Sequence, residues 1–189
     1  MKNILLCGVG GQGTVLASRI LASAAMENGE FAVTAETIGM AQRGGSVVSH
    51  VRTGQENEFY SPLIPEHSAD IIIGFEPGEA VRNIRYLKDG GTIVVSSMAA
   101  YAVTAPDYDG KEAVKWLKDN IKNCFIVDTE EILNKTGTLR VLNVALIGAA
   151  AKCGNLDIDL IERVLEKKLK PKFLELNKKA LCLGAGMVV

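Results

Sequence analysis

Cysteine, histidine and proline are sparse in this sequence: its 189 residues include four cysteines, two histidines and five prolines. The cysteines are scattered without a C-x-x-C pair, at Cys7, Cys124, Cys153 and Cys182. This spacing argues against an iron–sulfur cluster, a structural zinc site or a disulfide framework held by this chain alone. We expect four buried thiols in a reducing compartment, because free cysteine is among the most buried residue types.

The sequence also lacks an excess of charge of one sign: 21 Lys and Arg residues and 22 Asp and Glu residues give a net charge of -1. The balance gives no sequence-wide basic field for binding nucleic acid. A hydrophobic content of 48% excludes a disordered tail or linker. No Pro- or Ser-rich linker, repeat or low-complexity tract divides the chain, so we expect one domain over residues 1–189.

The apolar runs are too short for a membrane span. The longest, residues 71–75 and 141–151, fall below the roughly 20 residues that a spanning helix needs. The start of the chain leads into a strand-like segment instead of a signal peptide. We therefore expect a cytoplasmic protein without membrane contact.

Familiar catalytic constellations are missing as well. With only His50 and His67 and no G-x-S-x-G motif, the sequence supports neither a catalytic triad nor a metal site. Both histidines are expected to be structural or exposed. The segment 61–65 (SPLIP) is expected to be a rigid connector, with a bound ligand or a docked subunit as alternatives.

Strand-length apolar runs alternate with longer segments of helical period, which is typical of a parallel sheet covered by helices. We predict an α/β fold, a Rossmann-like three-layer sandwich with a mostly parallel sheet, helices on both faces and a helical C-terminal region. The strands are predicted at residues 3–7, 31–35, 46–52, 70–75, 92–96 and 124–127. The helices are predicted at residues 13–27, 77–88 (stopped by Gly90-Gly91), 111–121, 129–134, 139–153, 157–168 and 171–181.

The C-terminal region is locally basic. Between residues 161 and 179 there are three acidic residues and seven basic ones, namely Arg163, Lys167, Lys168, Lys170, Lys172, Lys178 and Lys179. A solvated helical face explains this pattern, and contact with an acidic partner such as a ferredoxin or another subunit is the alternative.

Glycine is over-represented, at 19 of 189 residues. The motif Gly8-Val9-Gly10-Gly11-Gln12-Gly13 follows a predicted strand and opens a helix, the context that G-x-G-x-x-G requires. We expect Gly8 to allow a tight turn, Gly10 to let a ligand approach the backbone and Gly13 to allow close helix–strand packing. The helix start can bind an anion, so Gly8, Gly10, Gly11, Gln12 and Gly13 are candidate binding residues. A purely structural turn is the alternative.

A dinucleotide site also needs an acidic residue after the second strand, and Glu36 is the only candidate, 23 residues past Gly13. Glu36, Glu76 and Asp128 are predicted to gather near Gly8 at the carboxyl edge of the sheet, where their charge disfavours a multiply charged phosphate. For Glu76 and Asp128 we favour a different role, that of capping the following helices.

A second glycine-containing loop, at residues 39–46, joins two predicted strands without a helix. Such a connection cannot be a right-handed crossover, so the second and third strands are not adjacent and parallel, which weakens the dinucleotide interpretation. Arg43, beside Gly44 and Gly45, can present a guanidinium to a carboxylate or phosphate of a ligand or partner. Pairing of Arg43 with Glu36 or another internal acid is the alternative.

Several segments together resemble a known family. Residues 2–4, the glycine motif at 8–13 and residues 39–52 (GMAQRGGSVVSHVR) are similar to the gamma-type subunit of 2-oxoacid:ferredoxin oxidoreductases. Residues 61–65, 69–70, 74–77 and 79–82 resemble in particular the beta subunit of indolepyruvate:ferredoxin oxidoreductase. Residues of the C-terminal helices fit as well, so the resemblance covers nearly the whole chain.

The resemblance implies a non-catalytic enzyme subunit that is inactive alone. Members of the family decarboxylate a 2-oxoacid to an acyl-CoA and reduce ferredoxin. Thiamine diphosphate and the iron–sulfur clusters are expected on partner subunits, and this chain is expected to complete the complex, with coenzyme A contact left open. Homodimerisation of the isolated chain is left open too.

Two other functions stay open from the residues alone, a stand-alone NAD(P)-dependent dehydrogenase and a nucleotide-binding regulatory module. The resemblance favours indolepyruvate or another aryl pyruvate as the substrate of the complex. Pyruvate, 2-oxoglutarate and branched-chain oxoacids are alternatives.

Overall fold

A computed structural model describes residues 1–39, 44–100 and 106–188 of the chain. In this part of the chain six strands form one sheet in the order β2-β3-β1-β4-β5-β6. The strands are β1 (Lys2–Val9), β2 (Phe31–Ile38), β3 (Ser46–Gly54), β4 (Ala69–Gly74), β5 (Leu87–Ser96) and β6 (Cys124–Val127).

Seven α-helices accompany the sheet in the described ranges, with 3₁₀ turns at Ile84–Tyr86 and Leu139–Val141. The helices are α1 (Thr14–Glu27), α2 (Pro77–Arg82), α3 (Lys111–Asn120), α4 (Thr129–Thr136), α5 (Leu142–Gly154), α6 (Ile158–Lys168) and α7 (Pro171–Gly186). No helix in the described ranges is both long and apolar enough to cross a membrane.

The sheet is mixed but mostly parallel. Strands β1, β4, β5 and β6 run parallel to one another, whereas β3 is antiparallel to both of its neighbours, β1 and β2. A hairpin from β2 to β3 therefore replaces the helical crossover of a standard dinucleotide-binding half. The expectation that β2 and β3 are not adjacent and parallel is confirmed, since they are adjacent and antiparallel.

Helices cover both faces of the sheet, as the fold prediction requires. On one face Ile4 and Leu6 of β1 pack with Ile20 of α1 and with α5 and α7. On the other face Leu5 and Cys7 pack with α2 and α3. Because successive residues of a strand point to opposite faces, the continuously apolar β1 supplies both cores.

The apolar segment before Gly154 forms α5, which lies in the core. Gly148 of α5 and Gly184 of α7 mark the closest approach of these two helices: a Cβ at Gly148 would collide with the carbonyl oxygen of Leu181, and one at Gly184 with that of Ala145. The two glycines let the helix backbones come nearly into contact.

The prediction of a second helix up to residue 88 is wrong. Helix α2 ends at Arg82, and Lys88, Gly90 and Gly91 lie in β5. The side chain of Asn83 donates to the Glu79 carbonyl oxygen over 2.8 Å and ends the helix. Gly90 has a positive φ of 71° and lies where the register of β5 on β4 shifts. Its conformation therefore belongs to an irregular strand and not to a helix end.

The last helix is longer than predicted, since α7 continues past residue 181 to Gly186. The expectation of four buried thiols is also wrong in part. Cys7 is buried, Cys124 and Cys153 are half-buried, and Cys182 is exposed. Cys182 lies near the end of α7, which packs mainly on α5, and its side chain is on the exposed side of that helix.

Candidate functional site

The glycine loop lies where the connections of two neighbouring parallel strands diverge. After β1 the chain enters α1 on one face of the sheet, and after β4 it enters α2 on the other face. In open α/β sheets ligands bind in the crevice at this kind of switch point, outside the carboxyl ends of the strands. The carboxyl ends of β1 and β4 therefore form the candidate site.

Gln12 links these two strand ends. Its side-chain oxygen accepts from the Val9 amide over 2.7 Å, and its side-chain nitrogen donates to the Phe75 carbonyl oxygen over 3.2 Å. The Gln12 amide also donates to the Val9 carbonyl oxygen over 3.1 Å. The carboxamide is thus engaged on both sides by the backbone of its own chain.

Gly8 and Gly13 have neighbours other than those that their predicted roles imply, and the predicted approach of a ligand to Gly10 stays a prediction. Gly8 is the buried next-to-last residue of β1, where a Cβ would lie 2.7 Å from the Cβ of Phe75. Gly13 has a φ of 88°, and a Cβ there would lie 3.0 Å from Nδ2 of Asn143, so its close neighbour is a helix residue and not a strand. Gly11 has a φ of 102°, is exposed, and has open space where a Cβ would stand.

The start of α1 suits an anion. Gly13 is its N-cap residue, no side chain caps the helix, and the first turn contains no acidic residue. The first amides of a helix have no partner within the helix, and their dipole favours negative charge. The open space at Gly11 gives access beside this helix start.

The second glycine loop meets the first. The Gly10 amide donates to the Gly45 carbonyl oxygen over 2.9 Å, so the backbone of Gly10 contacts the hairpin between β2 and β3. Gly44 is exposed and has a φ of 84°. Arg43 lies outside the described residues. The structure thus brings Gly44 and Gly45 beside the other candidate residues.

Two buried carboxylates, Glu76 and Glu79, lie at the start of α2 beside the carboxyl end of β4. Glu76 accepts from the Tyr108 hydroxyl over 2.7 Å and from the Glu79 amide over 2.8 Å. Glu79 accepts from the Ser46 hydroxyl over 2.5 Å and lies 3.6 Å from Nε of Arg82. These contacts join α2, the start of β3 and the loop before α3.

These carboxylates alter the acidity of their neighbours. Burial, followed by the charges of Glu79 and Glu76, raises the pKa of the Cys7 thiol well above its usual value of 9.0. Burial and the hydrogen bond to Glu76 raise the pKa of the Tyr108 hydroxyl above its usual value of 10.0. Both groups are neutral at physiological pH, and because the raised pKa values make them harder to ionise, neither is prepared to act as a nucleophile or a base.

The predicted caps are confirmed. Glu76 accepts from the amide of the third residue of α2, and Asp128 accepts from the amides of Glu130 and Glu131 at the start of α4. Glu36 lies beside α1, where it accepts from the Ser18 hydroxyl over 3.4 Å. The carboxylates lie at the same edge, but each has a local partner.

Sequence reasoning missed Glu79, Tyr108 and Ser46 as members of this edge. Glu79 had a detectable signal, because it lies three residues past Glu76 in a capping arrangement. Tyr108 and Ser46 come from distant parts of the chain, and only the tertiary fold brings them to Glu76 and Glu79.

His50 is buried, which agrees with the expectation that the histidines are structural or exposed. Its Nδ1 accepts from the Ile64 amide over 3.2 Å, and burial lowers its pKa. His67 is exposed in a loop. The histidines take no part in the candidate site, and no group of three or more His, Cys, Asp or Glu residues in the described ranges could hold a metal ion.

Several residues of the basic C-terminal region have internal partners. Lys178 pairs with Glu162 and Glu166 at 2.7 and 2.6 Å, and Lys167 pairs with Glu27 at 2.8 Å. Contact of this region with an acidic partner stays a prediction.

Comparisons with known proteins agree with the resemblance of the sequence. The model of the pyruvate ferredoxin/flavodoxin oxidoreductase family matches residues 3–187. The chain is 36% identical over 196 aligned positions to "Indolepyruvate oxidoreductase subunit IorB" of Archaeoglobus fulgidus, with 99% of this chain and 95% of the relative covered. It is 34% identical to the protein of the same name from Thermococcus kodakarensis, with 96% and 93% covered.

A solved structure confirms the predicted fold. The keto/oxoacid ferredoxin oxidoreductase gamma subunit from Geobacter sulfurreducens superposes with a TM-score of 0.72 at 23% identity, with 99% of this chain and 98% of that chain covered. The family match spans nearly the whole chain, and two relatives exceed 30% identity over nearly their full length. This chain therefore belongs to the pyruvate ferredoxin/flavodoxin oxidoreductase family.

Proposed function

We propose that this chain is a non-catalytic subunit of a 2-oxoacid:ferredoxin oxidoreductase whose substrate is indolepyruvate or another aryl pyruvate. The observation that carries the proposal is the 36% identity to an indolepyruvate oxidoreductase subunit over 99% of this chain and 95% of that relative. The complex would convert the 2-oxoacid and coenzyme A to acyl-CoA, carbon dioxide and a proton, and pass one electron pair to ferredoxin.

The chemistry of the candidate edge supports a role other than catalysis. The carboxamide of Gln12 and the carboxylates of Glu76 and Glu79 are engaged in bonds within the chain. Cys7 and Tyr108 are protonated near neutral pH, and their raised pKa values make both groups still harder to ionise. Thiamine diphosphate and the clusters would then be held by partner subunits, which carry the decarboxylation and the electron transfer.

The start of α1 at this edge fits an anionic group, because Glu36, Glu76 and Asp128 are each engaged by partners within the chain, and we assign it a phosphate contact with coenzyme A. The uncapped start of α1, with Gly11 open beside it and no acidic residue in its first turn, fits a phosphate group. Gly8, Gly10, Gly11, Gln12 and Gly13 would shape this contact, together with Arg43, Gly44 and Gly45 of the hairpin. Coenzyme A would supply the thiol that accepts the acyl group, while this chain would only hold and orient its phosphates.

Reconstitution tests the proposed function. The chain should copurify from its native host with a larger subunit that binds thiamine diphosphate and iron–sulfur clusters. The isolated chain should show no 2-oxoacid decarboxylation, and the complex should reduce ferredoxin fastest with indolepyruvate or phenylpyruvate. Pyruvate, 2-oxoglutarate and 2-oxoisovalerate serve as comparison substrates at equal concentration.

Two outcomes would contradict the proposal. An active monomer purified from the host would show that the chain needs no partner. A complex that prefers pyruvate or 2-oxoglutarate would leave the subunit role standing and remove the aryl pyruvate assignment.

A further inference from the structure

The outer edge of β2 is unpaired in the described part of the chain. Strand β2 is the first in the sheet order, and its only partner there is β3, along eight successive residue pairs without a register shift. An edge strand exposes a row of backbone N–H and C=O groups that can pair with another strand.

This edge lacks the usual protection against such pairing. Natural edge strands are kept short or carry lysine, proline or a bulge. The sequence of β2, FAVTAETI, has eight residues, no lysine and no proline, and its single charge is Glu36. The absence of these features from a long edge strand is expected where a partner strand covers it.

The two faces of β2 differ. Ala32 packs on the core beneath α1, and Glu36 accepts from Ser18 of α1, so this face is covered by a helix. Mainly toward the opposite face, Phe31, Val33 and Thr34 line an open groove with residues 56–57 and 59–62, a cavity of about 650 Å³. An added strand would therefore place alternate side chains in this groove.

A buried guanidinium builds the wall of the groove. Arg52 donates to the Ser61 carbonyl oxygen over 2.7 Å and to that of Leu63 over 3.3 Å. Its Cζ lies 4.8 Å from the centroid of the Phe59 ring, which in turn lies 5.8 Å from that of Phe31. The loop is fixed before any partner binds, which reduces the entropy that binding costs.

On this fixed loop the side chain of Tyr60 is 96% exposed, and that of Leu63 is 51% exposed. Tyrosine is among the residue types that dominate the energy of protein–protein interfaces. A side chain this exposed contributes little to the described part of the fold, whereas it would contribute to an interface.

The charges around the edge indicate which partner fits. Glu56 lines this groove, and Glu30, Glu56 and Glu58 line a second groove beside it at the start of β2. Glu58 is paired with the amino terminus of Met1 over 3.2 Å, which leaves Glu30 and Glu56 as the acidic rim, and Glu36 lies further along the strand. Within the described residues no exposed lysine or arginine lines either groove, since the guanidinium of Arg52 is buried in the wall. The surface is thus aromatic at its centre and acidic at its rim.

A second copy of this chain does not fit that surface. Two β2 strands paired antiparallel about a two-fold axis at Val33 would place Glu36 of one copy opposite Glu30 of the other. Like charges facing each other across paired strands are destabilising.

We propose that β2 and the loop at residues 56–63 receive an extended, basic segment of the thiamine-binding partner subunit, which adds a strand to the sheet. This inference rests on the proposed function, because it presupposes that the partner subunit exists. Main-chain hydrogen bonds to β2 would supply affinity, and an apolar side chain against Tyr60 with lysine or arginine near Glu56 would supply specificity.

Hydrogen exchange in the complex tests the proposal. The probe is the thiamine-binding subunit that copurifies with this chain from its native host. Amides of residues 31–38 and 56–63 should exchange at least about tenfold more slowly in the complex than in the free chain, while those of the exposed surface of α3 should be unchanged. A complex that forms without protection of these segments would overturn the proposal and leave the proposed function intact.

Substitutions supply a second measurement. Tyr60→Ser should raise the dissociation constant for the partner by at least about tenfold, whereas the control Trp116→Ser, at an exposed residue of α3, should not. Glu56→Lys should weaken binding most at low salt, and Glu112→Lys, at an exposed position of α3, is its control. Unchanged affinity in both Tyr60→Ser and Glu56→Lys would refute the proposed interface.

Two further outcomes are decisive. Concentration-dependent protection of residues 31–38 in the isolated chain, together with a dimer in sedimentation, would assign the edge to a second copy and overturn the proposal. If the host yields no thiamine-binding partner, the proposed function itself fails, and the strand addition fails with it.

Discussion

The side-chain nitrogen of Gln12 donates to the Phe75 carbonyl oxygen over 3.2 Å, while the side-chain oxygen of Gln12 accepts from the Val9 amide over 2.7 Å. One carboxamide thereby joins the ends of β1 and β4 at the point where their helices diverge. The glycine loop owes its shape to this link as much as to its glycines.

Replacement of Gln12 therefore tests whether the loop depends on this link. Gln12→Ala removes both bonds and leaves the Val9 amide without its partner, so we expect a loss of about 1–3 kcal/mol in the free energy of unfolding. Urea unfolding of the isolated chain measures the loss. The control is Gln55→Ala, at an exposed position, and equal stability of the two variants would contradict the structural role of Gln12.

The contact of α5 with α7 gives a second prediction. Gly184→Ala should cost several kcal/mol, because its Cβ would collide with the carbonyl oxygen of Ala145 and the helices would have to separate. Gly186→Ala, in the same helix but with open space around its Cβ, should be neutral or stabilising by up to about 1 kcal/mol. Thermal unfolding compares the two variants, and a similar melting temperature for both would refute the close contact.

The alternation of apolar runs with helical segments was enough to predict the six strands and the three layers, because burial on both faces leaves a clear pattern in β1 and β4. The end of α2 escaped prediction. The side chain of Asn83 bonds to the Glu79 carbonyl oxygen and ends the helix at Arg82, and Gly90 lies in an irregular strand where a helix end was expected.

The candidate site was predictable only where it is local in sequence. The loop at residues 8–13 has its own motif, and the cap at Glu76 precedes a proline. The contacts of Tyr108 with Glu76 and of Ser46 with Glu79 join residues 32 and 33 positions apart, and no periodic pattern connects them. Which glycine approaches which neighbour was likewise set by packing, as the contact of Gly10 with Gly45 shows.

Arg43 tests the anion contact proposed for the hairpin. Arg43→Ala should reduce the activity of the reconstituted complex at limiting coenzyme A by roughly tenfold, as expected for loss of a charge-assisted contact to a phosphate. The melting temperature of the chain should not change. The control is Arg140→Ala, at an exposed position on the 3₁₀ turn before α5. Full activity in the Arg43 variant would remove it from the ligand contact.

The buried thiol of Cys7 predicts how stability depends on pH. Its pKa is raised in the folded chain above the unfolded value of 9.0, so the folded state keeps a proton that the unfolded state releases. The stability that this thiol contributes is therefore complete below pH 9 and is lost as the pH rises above it, by about 1.4 kcal/mol per pH unit.

Urea unfolding between pH 8 and about pH 10 measures how the free energy of unfolding falls with pH. Cys7→Ala should remove the part of this fall that comes from one proton released on unfolding, although the variant is less stable throughout. Tyr108, whose pKa is also raised, contributes a separate slope above pH 10 that the Cys7 variant retains. An identical slope for the native chain and Cys7→Ala between pH 9 and 10 would show that the thiol is not protected from ionisation in the fold.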